Sequence, residues 1–433
     1  MEQIYDWTWI ETQVSGTIDL WNSSASHQAP HGRRYGLREQ QRREEVYDRE
    51  LDAVEQESRQ SPRSKAEHVE KADRLVASFG RFSTTALDLE EGTIKILTDE
   101  FLPVGTRLAR WARGFDSRLS MADITQACRN AWTACGLQPL LGVPVGITPS
   151  ILGYSLLYPY SDNYLDQEDI SAEAKLRFSE RFRRLLRGED ITAANDCETM
   201  LRALIELIEG QYPRAHYPHV FDCLLAIHRA QEESIRQQTG NGRCAEGEIL
   251  RVSCGKGGSS VLTDACLAYG SLSKDESRFA FEWGVLLQLG DDLQDIREDL
   301  RRGSVTLFSR ATALGKPLDG LAIRLLNFSK QVGNRMDHLP HGSTALKDLL
   351  KMSWRSLILR AVADSHEFFS AGFLKEVEQY SPFRFAFLRA QQERLTSRRG
   401  LYAMLFEAFL ESRDEDCDAF RREIQDTHAN SRA

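Results

Sequence analysis

Proline is scarce in this chain of 433 residues: it occurs 12 times, and none lies within 219–316 or 383–433. Proline inside a helix removes a hydrogen bond and clashes with the preceding turn, so these stretches allow long helices. The eight cysteines form no C-x-x-C pair, and several lie in apolar stretches of helical spacing. Reduced thiols in a cytoplasmic protein are therefore expected rather than a disulfide framework.

An excess of positive charge is also missing. Lys and Arg total 55 against 64 Asp and Glu, which gives a net charge of -9. The field of the whole chain therefore attracts neither nucleic acid nor an anionic membrane, and a phosphate-binding role requires a local site. The first 30 residues contain no basic segment that leads into an apolar run, so we expect no secretory signal.

Hydrophobic residues make up 41% and charged residues 27%, a globular balance. Runs of alternating polarity are lacking, whereas apolar residues recur at helical spacing from about residue 95 almost to residue 412, which predicts an all-α protein. We predict a charged N-terminal extension over 1–95, partly helical or mobile, a helical catalytic domain over 96–415, and a polar tail over 416–433.

Residues 131–161 contain no charged residue and no histidine. The length fits a membrane span, but Pro139, Pro144, Pro149 and Pro159 interrupt any continuous helix. A buried, kinked core segment is the favoured interpretation, and no transmembrane span is expected.

Residues 279–302 form the most informative segment. At about 100° per residue, Asp291, Asp292, Asp295 and Asp299 share one face of a helix, with Gln288 one turn earlier. Neighbouring carboxylates repel one another, so a cation should compensate them. Mg²⁺ takes oxygen ligands and binds through a few carboxylates together with substrate phosphates.

The alternative is a solvated helix end whose acids pair with Arg297, Arg301 and Arg302. The apolar stretch 279–289 directly upstream favours metal binding, because carboxylates that continue a buried helix are costly unless they are paired or metal-bound. Arg302 falls on the carboxylate face and is a candidate ligand of a diphosphate, although an exposed ion pair is equally consistent with its position.

A second acidic cluster comprises Asp162, Asp166 and Asp169, at the helical spacing i, i+4 and i+7. Two such faces, each beside an apolar segment, could confront each other across a cavity and hold several Mg²⁺ ions around a diphosphate.

This arrangement suits the ionisation of an allylic diphosphate, in which metal ions neutralise the leaving group and an apolar pocket protects the carbocation. Aromatic faces could stabilise the cation, although ordinary core packing is the alternative for each ring. The candidates are Tyr154, Tyr158, Tyr160, Phe281 and Trp283.

The segment 254–260 reads Cys-Gly-Lys-Gly-Gly-Ser-Ser. Adjacent glycines in a helical region predict a break in the hydrogen-bond ladder, which would free amides of Gly257, Gly258 and Ser259 to bind phosphate oxygens beside the charge of Lys256. A structural hinge is the alternative, and both interpretations remain open at this point.

These residues resemble the trans-prenyltransferase and class I terpene synthase superfamily, and more closely the bacterial large-terpene synthases, class IB, of the tetraprenyl-β-curcumene synthase type. The matching stretches run in family order over residues 97–412. They are FLPVGTRLARW, NYLDQ, HRAQEES, GKGGSSVLTDACLAYG and YSPFRFAFLR, together with the acidic segment QLGDDLQDIREDLRRGSVTLFS.

The resemblance implies a helical bundle around a central cavity with two facing Asp-rich helices. It also implies Mg²⁺ dependence and conversion of a long linear prenyl diphosphate into a cyclic or linear terpene hydrocarbon. Asp162 and Asp166 correspond to the first acidic motif, and Asp291, Asp292 and Asp295 to the second. The first motif departs from the family pattern, since Asn163 and Gln167 stand where a carboxylate and an amide are expected.

Two other functions compete with this one. A prenyltransferase that joins two substrates uses the same metal chemistry, and a non-catalytic helical scaffold would carry the acids as a surface feature. Nucleic acid is not an expected partner, a long-chain substrate allows peripheral membrane contact, and the sequence leaves the oligomeric state open.

Overall fold

The computed structural model describes residues 4–27, 32–59, 64–87, 89–167, 170–239, 245–398 and 400, and over these residues it contains helices and no β-strand. The predicted all-α class is confirmed. The helices are α1 (Trp7–Ser23), α2 (Leu37–Ser58), α3 (Lys65–Thr85), α4 (Glu91–Lys95), α5 (Leu102–Phe115), α6 (Met121–Leu140), α7 (Pro149–Asp166), α8 (Ala172–Leu186), α9 (Asp196–Gln211), α10 (Pro218–Thr239), α11 (Glu246–Tyr269), α12 (Lys274–Gln294), α13 (Ile296–Arg302), α14 (Leu307–Ala313), α15 (Asp319–Asp337), α16 (Thr344–Asp364), α17 (Ala371–Glu378) and α18 (Phe385–Ser397). A π-helical turn, Ile96–Phe101, precedes α5, and a 3₁₀ turn, His366–Phe368, follows α16.

Helix α11 is the centre of the packing. Most of its residues from Ile249 to Ala268 are buried, as expected of a helix that is apolar or small on every side. It contacts α12, α10, α6, α7 and α1, while α12 packs in turn against α15 and α16. The two walls of the site described below therefore belong to the most buried helices.

Helix α11 runs without interruption through residues 254–260, so the predicted break and the predicted hinge at its glycines are both wrong. The glycines instead let α11 and α12 cross closely. A Cβ atom placed on Gly284 would lie 2.0 Å from the carbonyl oxygen of Gly257, and one on Gly258 would lie 2.3 Å from the Phe281 ring. Only glycine fits this crossing, because any side chain would collide with backbone or with a buried ring.

The uncharged segment 131–161 forms the end of α6, a loop and most of α7. Most of its large apolar side chains are buried, as predicted, whereas Trp132 is 39% exposed. The loop is held by two hydrogen bonds between the Gln138 side chain and the backbone of Gly146: the amide donates to the carbonyl at 2.9 Å, and the Gly146 N–H donates back at 2.8 Å. None of the helices in the described ranges is long and apolar enough to span a bilayer.

The N-terminal region contributes to this body. Tyr5, Ile10 and Trp21 are buried, and the Trp21 ring meets Phe328 of α15 edge-on at 5.8 Å. The domain boundary near residue 95 stays a prediction, although helix α1 packs against the helices beyond it. The predicted tail over 416–433 lies outside the described residues.

The acidic segment is helical, as predicted, but in two pieces. Helix α12 ends at Gln294 and α13 starts at Ile296, with Asp295 between them at φ -94° and ψ 12°. Hydrogen bonds cross the junction, since Asp295 N–H donates to the Asp291 carbonyl at 2.8 Å and Asp299 N–H to the Asp295 carbonyl at 2.9 Å. The acidic face therefore continues across the change in conformation.

Replacement of Gly284 by alanine should lower the free energy of unfolding by about 1–3 kcal/mol, because the new methyl group meets backbone that cannot move aside. The higher helix propensity of alanine, about 1 kcal/mol, offsets only part of this loss. Urea denaturation measures the difference. The matched control is Gly255→Ala on α11, where no neighbouring atom lies within 4 Å and stability should stay the same or rise; equal effects at both positions would contradict the close crossing.

Candidate active site

A cavity of about 520 Å³ lies between α6 and the crossing of α11 and α12, within the size range of small-molecule sites. Seven of the residues that line this cavity belong to α11 and lie along one face of that helix. The lining residues are Gln126, Arg129, Asn130 and Thr133 of α6, Tyr158 of α7, Ser234 and Gln237 of α10, Val252, Ser253, Lys256, Gly257, Ser260, Val261 and Asp264 of α11, Gly284, Leu287, Gln288, Asp291, Asp292 and Gln294 of α12, and Asp295, Asp299, Ser304, Val305, Thr306 and Leu357.

Asp292 is buried and held between the two central helices. Ser253 Oγ of α11 donates to its Oδ2 at 3.0 Å, and Gln288 Nε2, one turn earlier on α12, donates to its Oδ1 at 2.8 Å. Burial raises the pKa of Asp292 to about 7, against the effect of these two donors and of Lys256. Because each of its oxygens already accepts a hydrogen bond, Asp292 is better placed to hold the acidic face in position than to be the carboxylate most accessible to a metal ion.

The other three carboxylates of this segment also line the cavity. Asp291 and Asp295 remain accessible, but neighbouring protein atoms remove part of their hydration, and this desolvation is the largest cause of their raised pKa values. The Arg129 charge opposes it at both residues. Burial and the nearby Asp295 raise the pKa of Asp299 to about 6, although Thr306 Oγ1 donates to this carboxylate at 3.3 Å. The positive charge of the nearby cations is thus too small to keep the pKa values of these carboxyl groups in their ordinary range.

Two cations share this end of the cavity. Lys256 projects from α11, where its charge partly offsets the rise in the pKa values of Asp291, Asp292 and Asp299. Arg129 projects from α6 toward the same cluster and was not predicted. The signal was present in the sequence, because Gln126, Arg129, Asn130 and Thr133 form a polar stripe of helical spacing in an otherwise apolar stretch.

The first acidic motif lies at the end of α7. Asp162 and Asp166 belong to this helix, but their side chains, and Asp169 altogether, lie outside the described residues. Tyr158, one turn before Asp162, reaches the cavity wall. The unexpected Asn163 has a structural partner, since its Nδ2 donates to Asp123 Oδ1 at the start of α6 at 2.8 Å.

The remaining residues predicted to bind substrate divide into two groups. Gly257 and Gln288 line the cavity, whereas Gly258 faces the Phe281 ring and Ser259 is fully buried away from the cavity wall. Arg302 is 66% exposed and pairs with Glu298 at 2.6 Å. The positions of Gly258, Ser259 and Arg302 lend no support to a direct contact with substrate, because none of these residues lines the cavity.

The aromatic candidates also divide. Tyr158 lines both the main cavity and a smaller one of about 40 Å³, which Tyr154 lines as well. Trp283 packs against Phe279 and Trp354, and Phe281 fills the notch above Gly258. Phe281 and Trp283 are therefore core side chains, which was the alternative interpretation from the sequence.

A buried polar pair in the cavity wall was also missed. Asp264 of α11 is 1% exposed, and its Oδ1 accepts a hydrogen bond from Asn130 Nδ2 of α6 at 3.3 Å. Burial raises the pKa of Asp264 well above its ordinary range. No periodic pattern identifies this residue, because it lies alone in an apolar helix and its partner is 134 positions away.

The donor atoms suit a hard divalent cation. As placed, no three Asp, Glu, His or Cys side chains of the described chain form a ready metal cage. Mg²⁺ rarely uses such a cage, since it binds through one or two carboxylates and completes its shell with water and phosphate oxygens. Asp291, Asp295 and Asp299 offer those carboxylates, and their raised pKa values show that added positive charge would stabilise their ionised forms.

Comparison with known proteins adds little. No protein-family model and no curated protein sequence matches the chain. Among solved structures, a decaprenyl diphosphate synthase from Rhodobacter capsulatus aligns with 12% identity and a TM-score of 0.32, covering 71% of this chain and 98% of that one. A polyprenyl synthase from Caulobacter crescentus CB15, complexed with calcium and isoprenyl diphosphate, aligns with 14% identity and a TM-score of 0.25, covering 89% and 99%. These scores are too low for any residue role to be transferred.

The raised pKa of Asp292 predicts a pH-dependent stability. In metal-free buffer the folded state holds a proton on this group that the unfolded chain has lost, so the free energy of unfolding should fall as pH rises from about 4 to about 7. One such group contributes at most about 1.4 kcal/mol per pH unit. Denaturation in EDTA across this range measures the slope, which Asp292→Asn should reduce and Asp275→Asn, at the exposed start of α12, should not. An unchanged slope in Asp292→Asn would contradict the assignment.

Proposed function

We propose that this protein is a Mg²⁺-dependent terpene synthase, a lyase that ionises a linear prenyl diphosphate and converts the carbocation into a cyclic or linear terpene. One observation carries the proposal: carboxylates and cations lie together at one end of a 520 Å³ cavity. Carboxylates alone would indicate a cation site, and Lys256 and Arg129 alone an anion site. Their combination suits a metal ion and a phosphate group bound together.

In this proposal Asp291, Asp295 and Asp299 hold Mg²⁺, and Asp162 and Asp166 do so from the end of α7. The metal supplies charge that offsets the charge developing on the departing diphosphate. Lys256 and Arg129 bind the diphosphate oxygens directly, so that the scissile bond lies beside the acidic face. Ser253 and Gln288 keep Asp292 oriented and so hold this face in position.

The hydrocarbon chain then occupies the rest of the cavity. Apolar contacts are available from Val252, Val261, Leu287 and Leu357, and the Tyr158 ring, one helical turn before Asp162, adds an aromatic surface to the wall. Water must be limited in this space, because a carbocation reacts with any water that reaches it. The polar groups of the wall therefore influence which product forms.

A prenyltransferase is the second candidate, since it requires the same metal and diphosphate contacts. Incubation with Mg²⁺ and allylic diphosphates of C10 to C35, each with and without the homoallylic C5 diphosphate that chain elongation requires, separates the two. A terpene synthase releases diphosphate and a product no longer than its substrate, whereas longer diphosphates or head-to-head products would indicate the prenyltransferase.

The two accessible carboxylates of α12 and its junction provide the direct test. Asp291→Asn and Asp295→Asn should each lower diphosphate release at least about 100-fold, which corresponds to about 3 kcal/mol of transition-state stabilisation. Circular dichroism should show unchanged helicity. Asp275→Asn, the same replacement at an exposed position of α12, is the control and should retain activity. Full activity in Asp291→Asn and Asp295→Asn would exclude this face from the reaction.

Ligand binding without turnover distinguishes an enzyme from a scaffold. Mg²⁺ and pyrophosphate together should raise the melting temperature, because a ligand that binds only the folded state stabilises it. The increase should be smaller in Lys256→Met and Arg129→Met, which remove the two cations and keep most of the side-chain length. Differential scanning fluorimetry measures the shift. A wild-type melting temperature unaffected by this combination or by a substrate analogue would favour the scaffold.

A further inference from the structure

Asp264 marks the part of the cavity wall that the proposed chemistry leaves unexplained. It lies eight residues beyond Lys256 on the same face of α11, which corresponds to about 12 Å along the helix axis. Its carboxyl group is therefore well separated along the helix from the position proposed for the diphosphate.

One oxygen of this carboxyl group has no partner. Asn130 Nδ2 donates to Oδ1 at 3.3 Å, whereas Oδ2 makes no hydrogen bond within the described part of the chain, although the residue is 1% exposed. A buried polar atom without a partner destabilises the folded protein, because it has lost its hydrogen bonds to water. Asp264 also lines the cavity, which is the open space beside this carboxyl group.

The surrounding groups suit a small uncharged oxygen ligand. Ser260, one turn earlier on α11, also lines the cavity, with its Oγ 3.5 Å from the Tyr154 hydroxyl group, and the Asn130 amide lies near Ser155 Oγ at 3.5 Å. A buried water typically makes two to four hydrogen bonds, which Asp264, Asn130 and Ser260 could supply. Such a ligand needs no positive charge, since burial raises the pKa of Asp264 and favours its neutral form.

We propose that Asp264, Asn130 and Ser260 hold a water molecule that captures the carbocation, so that the product is a terpene alcohol rather than a hydrocarbon. This inference rests on the proposed function and specifies its final step. The prenyl C–O bond breaks with both electrons leaving on diphosphate, and attack by the substrate's double bonds moves the cation along the chain. A lone pair of the water oxygen then forms the new C–O bond, and the proton released is taken up by the departed diphosphate ion.

The decisive measurement is turnover in ¹⁸O-labelled water with a panel of allylic diphosphates, Mg²⁺ and wild-type protein. We expect an alcohol that carries ¹⁸O and forms faster than in parallel reactions with Asp291→Asn or without protein, which measure spontaneous solvolysis. If diphosphate is released but the product is a hydrocarbon, or an alcohol without ¹⁸O, the water site is wrong and the terpene synthase proposal stands. If no substrate releases diphosphate, the proposed function itself fails.

Variants test whether these side chains hold the water. Asp264→Leu should lower the ratio of alcohol to hydrocarbon by about tenfold, the effect of losing one or two hydrogen bonds, whereas Asp264→Asn, which keeps a neutral polar group, should lower it less. Asn130→Leu provides an independent test if Asp264→Leu does not fold. Glu248→Gln, at the exposed start of α11, is the control and should leave the ratio unchanged. An unaltered ratio in the folded variants of Asp264 and Asn130 would overturn the proposal.

Discussion

The close crossing of α11 and α12 is the constraint on which the site depends. Gly257 and Gly284 bring the two backbones together at a distance that leaves no room for a Cβ atom. At this distance Ser253 reaches Asp292 with a hydrogen bond, and Lys256 lies beside the acidic face. A wider crossing would separate these groups and remove the contact between a cationic and an anionic wall.

The electrostatics of the cavity follow from burial. Four carboxylates face a partly desolvated space in which Arg129 and Lys256 offset only part of the cost, so their pKa values are all raised. A metal ion would favour the ionised carboxylates, and a diphosphate would in turn pair with the metal and with the two cations. In the proposed complex, each ligand would supply charge that the other ligand and the protein require.

The acidic face could be predicted because its members are close in sequence and share a helix, so that the 3.6-residue period places them together. Arg129 and Asn130 belong to a polar stripe that the sequence contains, but what the stripe faces could not be predicted, since α6 meets α11 and α12 across more than 100 positions. Asp264 lies alone in an apolar helix, and its partner Asn130 is 134 positions away. The glycines of α11 were misinterpreted for a physical reason. Glycine weakens a helix and also permits another backbone to approach, and only the presence of α12 decides which property matters.

By itself, the sequence determined the helical class, the buried uncharged segment and the row of aspartates, because each depends on the local period of polar and apolar residues. Tertiary structure alone decided what confronts that row: a lysine beside glycines from α11, an arginine from α6, and a buried carboxyl group farther along the wall. These contacts depend on which helices cross and how closely, and that is set by side-chain volumes at positions distant in the chain.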